Sequence, residues 1–269
     1  MRVAHIGSRI RAAMAPRHRR PPVLEHNAHL APDNQWYAPT LGGASTFARE
    51  ICGAAAVRSA LRVLESLTPD VYSEFVGDFY RAGLDRHGDS WQYADVNTAL
   101  IVLAAHLRPA SYLEIGVRRG RSLAMLASQA PDCHITGCDM FIEAYAGMDN
   151  PGPDFVRAEL ARVGFRGQLN FLVGNSHDVL PRFFGRDPDQ FFDLVTVDGD
   201  HSAKGARADL LVVMPRVKIG GAIIFDDISN PGHPELRRVW HDVVVTSSSF
   251  STFTFDEIGF GVGVGIRHV

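Results

Sequence analysis

The chain has 269 residues, of which 46% are hydrophobic and 21% charged, and its formal net charge is −3. That length suits one α/β domain with an appendage and is short for two full domains. The near-neutral balance gives no global basic field for nucleic acid, and no apolar run approaches the ~20 residues of a membrane helix, so neither partner is expected.

Residues 1–45 form an irregular N-terminal arm rich in Arg, Pro, His and Ala. Arg2, Arg9, Arg11, Arg17, Arg19 and Arg20 fall here without the continuous apolar stretch of a signal peptide. Pro21-Pro22 marks a break, and Trp36-Tyr37 suggests a segment that docks onto something, which predicts homo-oligomer contacts through this region. Residues 46–108 form a helical extension. Ile51, Ala55, Val57, Leu61, Val63, Leu64 and Leu67 recur at helical spacing, as do Val71, Phe75, Phe79 and Tyr80. Its last helix is predicted from about Tyr93 to Leu107, ending before Pro109.

Over residues 109–269 the rhythm becomes strand, turn, helix. Short apolar runs at Tyr112–Val117, His134–Met140, Leu169–Val173, Phe192–Val197 and Ala222–Phe225 alternate with helix-compatible stretches. These lie around Arg121–Ala130, Asp154–Val163, His177–Phe184 and Ala203–Val217. Nearly continuous apolar strands alternating with helices predict a parallel sheet covered on both faces. The tail differs: Thr252–Phe255 and Gly259–Ile266 flank a polar turn at Asp256-Glu257, the pattern of an antiparallel hairpin. The fold class is therefore α/β, a doubly wound, mostly parallel sheet with a C-terminal antiparallel hairpin and an N-terminal helical extension. The cysteines Cys52, Cys133 and Cys138 form no CxxC pair and are read as reduced apolar fillers, which predicts a cytoplasmic protein.

The segment Leu113-Glu114-Ile115-Gly116-Val117-Arg118-Arg119-Gly120-Arg121-Ser122 is a strand, a tight glycine turn and a helix start. Gly116 lets the backbone turn sharply, Gly120 relieves crowding at the helix entrance, and Ser122 is predicted to cap the helix. No GxGxxG or GK[ST] signature is present, and Glu114 precedes the first glycine, so a cationic ligand suits this loop better than a phosphate. Asp139 closes the second strand, placed to accept hydrogen bonds from ribose hydroxyls. Asn175 and Ser176 end the third, where they either line an adenine or cap the next helix.

These motifs carry a resemblance. The run from Ser111 to about Arg267 resembles the class I S-adenosylmethionine-dependent methyltransferases, with Glu114 to Ser122 similar to that family's first motif and Asp139 matching its ribose acid. The resemblance implies a Rossmann-like seven-stranded sheet and S-adenosylmethionine bound by Glu114, Gly116, Gly120, Ser122, Asp139, Asn175, Ser176 and Asp198. Tyr93 is added as a residue that covers the cofactor.

The fourth strand delivers Asp198-Gly199-Asp200-His201 and the fifth Asp226-Asp227, at neighbouring carboxyl ends. Paired acids after a strand commonly just cap a helix, but Asp198, Asp226 and Asp227 together predict a hard divalent cation, Mg²⁺ or similar. The pattern is similar to the metal-dependent macrolide-sugar O-methyltransferases and cephalosporin-hydroxylase-type relatives, and more distantly to catechol O-methyltransferase. That likeness implies methylation of a hydroxyl of a vicinal diol, on a sugar moiety of a natural product or glycan or on a catechol-like acceptor. His201 is the candidate base, with Lys204 as the alternative, and His233 is a candidate for the acceptor pocket. The rival readings are a metal-free small-molecule methyltransferase and a non-catalytic Rossmann-like binding protein.

Overall fold

The structure, a computed structural model, describes residues 42–144, 147 and 149–269. The arm expected over residues 1–45, with Trp36-Tyr37 and the oligomer contacts assigned to it, lies almost wholly outside the described residues.

The extension contributes α1 (Ala44–Ile51), α2 (Ala54–Ser66), α3 (Val71–His87) and α4 (Val96–Leu107). Asp70 and Asp95 start α3 and α4 with reciprocal capping boxes, Asp70 with Ser73 and Asp95 with Thr98, each satisfying otherwise orphaned backbone donors. Residues Val96 to Ala104 of α4 are all buried, as a helix apolar on every side must be. It lies between the sheet and the rest of the extension.

The remaining order is β1 (Ser111–Ile115), α5 (Arg121–Gln129), β2 (His134–Asp139), α6 (Pro153–Arg162), β3 (Leu169–Val173), α7 (Ser176–Arg186), β4 (Phe192–Val197), α8 (Ala203–Val213), β5 (Val217–Asp226), α9 (Leu236–Trp240), β6 (Phe250–Phe255) and β7 (Val262–Arg267). The seven strands lie in the order β3-β2-β1-β4-β5-β7-β6. β1 to β5 pair in parallel, and β7 runs antiparallel to both β5 and β6. The Rossmann-like fold and its hairpin are thus as the sequence predicts. β5 is longer than expected, because Val217 and Lys218 continue the strand rather than α8. Helix α9 and the π-helical turn His241–Val245 were not anticipated.

Two apolar layers cover the sheet. One joins the extension and α5 through Phe47, Leu100, Leu103, Tyr112 and Leu123. The other joins α7, α8 and α9 through Leu180, Leu210, Val239 and Trp240. Cys52, Cys133 and Cys138 are free and buried among these layers, and burial pushes their thiols up to about 11, 12 and 12. No helix among the described residues is long and apolar enough to cross a membrane.

Candidate active site

A cavity of about 600 Å³ opens at the carboxyl ends of β1, β2, β4 and β5, where open α/β sheets bind ligands. The β1 loop forms its floor. Gly116 has φ 92°, and a Cβ there would lie 1.8 Å from the backbone oxygen of Asp198. The close approach that requires glycine is therefore to the neighbouring strand end, and it brings Asp198 against the loop. Gly120 has φ 77° and is itself the N-cap of α5.

Ser122 does not cap the helix as expected: its hydroxyl donates to Glu114 Oε1 at 2.7 Å. Glu114 also differs from expectation. It is fully buried beneath the loop, takes a further hydrogen bond from Tyr112, and is absent from the cavity wall. Burial pushes its carboxyl up to about 8, so it is largely protonated at neutral pH and does not present a carboxylate to a cationic ligand.

Asp139 lines the cavity, but its carboxylate is already used. Oδ2 accepts from the amides of Val117 and Arg118 at 2.8 Å each, and Oδ1 from Phe141 N at 2.6 Å and Asn150 Nδ2 at 3.2 Å. Four donors fill a carboxylate's acceptor positions, so a ribose hydroxyl here must displace one, most easily the long Asn150 contact. Asn175 caps α7, one of the two roles expected of this pair, by accepting from His177 N at 2.9 Å. Both residues line the cavity, where the adenine contact stays a proposal.

The acids meet at the other end. His201 Nε2 lies 3.0 Å from Asp227 Oδ2 and 3.5 Å from Asp198 Oδ1. Asp227 sits at φ 63°, a left-handed conformation that is uncommon outside glycine and is stored where local geometry demands it. Its Oδ2 also accepts from Asn230 Nδ2 at 3.0 Å. Hydrogen bonds to Asp198 and Asp227, outweighing burial, push the His201 imidazole up to about 10, far above the ordinary histidine value the sequence implied. Asp226 lines the cavity beside them; burial first, then Asp198 and Asp227, hold its carboxyl well above the usual range. Ligand atoms of Asp198, His201 and Asp227 lie within 4.8 Å of one another, so the tightest trio contains His201 in the place expected for Asp226. The His233 ring lies 5.0 Å from that of His201, tilted by 31°, and also lines the cavity. Lys204 does not: it is exposed on the first turn of α8, outside the cavity wall.

The extension supplies the roof, through residues the sequence did not single out. Thr68, Asp70, Tyr72 and Ser73, at the α2–α3 corner, line the cavity. Asp70 binds Arg118 at 2.9 Å, and Thr68 bonds to Glu159 at 2.7 Å, tying the corner down. Tyr93, expected to cover the cofactor, is instead buried in an aromatic cluster with Trp91 (ring centroids 5.5 Å apart), Phe79 (5.0 Å) and Tyr80 (6.0 Å). An aromatic two residues after the start of a polar corner looks the same in sequence whether it packs inward or over a ligand; Tyr72, not Tyr93, is the one over the cavity.

Residues 113–228 match the family model described as a methyltransferase domain. This part of the chain, somewhat under half of it, is similar to a methyltransferase domain. No curated protein matches the sequence. Among solved structures, the O-methyltransferase TomG from Streptomyces achromogenes, involved in tomaymycin synthesis and in complex with S-adenosylmethionine, is 20% identical. The likeness covers 76% of this chain and 92% of that one, with a TM-score of 0.53. The Podospora anserina methyltransferase PaMTH1, bound to S-adenosylhomocysteine, is 13% identical over 84% of this chain and 94% of its own, with a TM-score of 0.52. An O-methyltransferase from Bacillus cereus in complex with S-adenosylhomocysteine is 16% identical over 79% and 91%, with a TM-score of 0.51. At these identities the likeness is one of fold. The matched segment spans the glycine loop, Asp139, Asn175 and all the clustered acids, so the cavity described above lies largely inside it.

Proposed function

We propose that the domain is a divalent-metal-dependent O-methyltransferase whose acceptor presents two neighbouring hydroxyls. Such an acceptor is the sugar moiety of a natural product or glycan, or a catechol-like ring. The observation that carries this reading is the convergence of Asp198, His201 and Asp227, with Asp226 beside them, in the cavity wall. Carboxylate oxygens are hard donors that suit Mg²⁺. Burial and the neighbouring acids raise the pKa of both Asp198 and Asp226, a cost that a cation would relieve. Asp198 and Asp227 would hold the ion, with Asp226 completing the set and His201 Nε2 left free as the base.

When bound, a divalent cation makes an adjoining hydroxyl easier to deprotonate, and S-adenosylmethionine brings an electrophilic methyl group on sulfonium sulfur. The chain's own residues bind, align and move a proton. Asp139, Asn175 and Ser176 hold the nucleoside end, and the Gly116 loop sets the depth at which the methionine end lies. The α2–α3 corner closes over both and excludes water, so the reacting atoms meet in line at little entropic cost. His201 takes the acceptor's proton at Nε2, which it can do only when neutral. Three buried free thiols suit a reducing, cytoplasmic setting.

One observation favours a second reading. With its pKa pushed up to about 10, the His201 imidazolium bridges Asp198 and Asp227 and offsets one of their charges, as a metal-free methyltransferase would need. Calorimetry decides between them. On the metal-dependent reading, metal-stripped protein binds Mg²⁺, Asp198→Ala and Asp227→Ala do not, and EDTA abolishes turnover while S-adenosylhomocysteine still binds. Full turnover in EDTA would overturn the metal and leave the metal-free enzyme.

A further inference from the structure

Three arginines line the cavity: Arg118, Arg119 and Arg121. The first two are occupied. Arg118 pairs with Asp70 at 2.9 Å, and Arg119 pairs with Asp149 and lies 3.6 Å from Asp70. Arg121 is placed differently. Its guanidinium carbon lies over the Tyr72 ring, 4.5 Å from the centroid, and its Nε is buried without a hydrogen-bond partner among the described residues. A buried, unsatisfied guanidinium N–H is costly, and native structures keep such groups where a ligand will satisfy them.

The acids across the cavity do not need Arg121 as their counter-ion at contact distance. Asp198 and Asp227 are bridged by His201, and Asp227 is also bonded by Asn230. Burial works against the guanidinium's charge, but Tyr72, Tyr80, Asp198 and Asp95 together raise its pKa above the ordinary arginine value, so it remains a cation. The backbone adds to the same field. Arg121 is the first residue of α5, whose N-cap Gly120 supplies no side-chain hydrogen bond, so the helix opens with its amide donors uncapped and its positive dipole end toward the cavity.

From this geometry, and resting on the cofactor reading above, we propose that Arg121 is the cavity's receptor for an anionic ligand group, a carboxylate or a phosphate. Tyr72 covers the guanidinium, whose unpartnered Nε is left for a contact to an anionic oxygen, and a planar guanidinium can pair with two oxygens where lysine cannot. Two sources carry such a group: the methionine half of the cofactor, through its carboxylate, or the methyl acceptor.

Calorimetry on wild type, Arg121→Gln and Arg121→Lys separates the sources, with melting temperatures showing that each variant is folded. The first probes are S-adenosylhomocysteine and 5′-methylthioadenosine, which keeps the nucleoside and thioether but lacks the amino-acid carboxylate. If the cofactor supplies the anion, Arg121→Gln weakens S-adenosylhomocysteine by at least about tenfold, leaves methylthioadenosine unchanged, and Arg121→Lys falls between. If the acceptor supplies it, S-adenosylhomocysteine is unchanged in both variants. The wild-type complex then binds inorganic phosphate as a second ligand, and Arg121→Gln loses that binding by a similar factor. Unchanged affinity for both S-adenosylhomocysteine and phosphate in a folded Arg121→Gln protein overturns the proposal. Failure of wild type to bind either nucleoside is a separate result: it overturns the cofactor reading and with it the first source, while the phosphate titration still decides the role of Arg121.

Discussion

At the scale of single residues, the chemistry proposed for this protein turns on the protonation state of one imidazole. A histidine three residues after an acid is expected to titrate near its ordinary value, and as a general base it would then be ready at neutral pH. Its contacts with both Asp198 and Asp227 reverse that, because each carboxylate stabilises the charged ring. The base is therefore masked until something else neutralises the acids. His201→Ala is expected to lower kcat by roughly 10²–10⁴, the usual worth of a general base. Affinity for S-adenosylhomocysteine should stay within about twofold, because the ring lies at the acid end of the cavity. Lys204→Ala should remain close to wild type, since that side chain is exposed and outside the wall. A His201→Ala enzyme with unimpaired kcat, beside a dead Lys204→Ala enzyme, would transfer the role to the lysine.

At the scale of elements, the first strand and the helix after it are tied together beneath the cavity. Glu114 on β1 accepts from Ser122 on α5, and Tyr112 joins Glu114 to Thr196 on β4 by a 2.7 Å bond to the threonine hydroxyl. This buried network holds the Gly116 loop at a fixed height above the sheet. It also has a pH signature. Burial raises the Glu114 pKa from 4.5 to about 8, so between those values the folded state holds a proton that the unfolded chain has lost. The stabilisation is complete below about pH 4.5 and is lost as pH rises to about 8, at no more than about 1.4 kcal/mol per pH unit for one proton. Melting temperatures from pH 5 to 9 should therefore fall less steeply for Glu114→Gln, whose amide does not ionise. An identical slope in the variant would show that Glu114 is already ionised in the fold.

At the scale of the whole molecule, the extension and the sheet behave as one body. The core runs unbroken from Phe47 and Tyr80 through α4 to Tyr112 and Ile224. Ala44 N donates to Ser251 Oγ at 2.9 Å, so the first described helix is fastened to the last hairpin. Removing a buried aromatic such as Phe47 to Ala would cost about 3–5 kcal/mol, enough to threaten a typical domain. Trp91 lies in the extension and Trp240 beneath the sheet, both buried. Unfolding followed by tryptophan fluorescence and by far-UV circular dichroism should give a single coincident transition. Two resolved transitions would mean that the extension folds apart from the sheet.

The sequence by itself determined the sheet and the strand ends. Apolar runs such as Leu169–Val173 and Phe192–Val197 became strands with those very limits, the second a central strand buried at every position but Asp193, the first an edge strand that stays partly exposed. Topology then carried Asp139, Asn175, Asp198, Asp226 and Asp227 to one edge of the sheet, as any parallel α/β order would. What only the tertiary structure decided is how each side chain is spent there. Glu114 and Asp139 lie on the expected strands, yet one is buried and protonated and the other accepts from three backbone amides and the Asn150 side chain, outcomes set by how the surrounding loops fold over them. Tyr93 and Tyr72 are both aromatics of the helical extension, and which one reaches the cavity depends on the angle at which the α2–α3 corner is clamped by Arg118, Arg119 and Glu159. Arg121 reads in sequence as an ordinary helix start. Its place over the Tyr72 ring arises from the meeting of the first turns of α3 and α5, because burial, pairing and charge are properties of the assembled surroundings and not of local spacing.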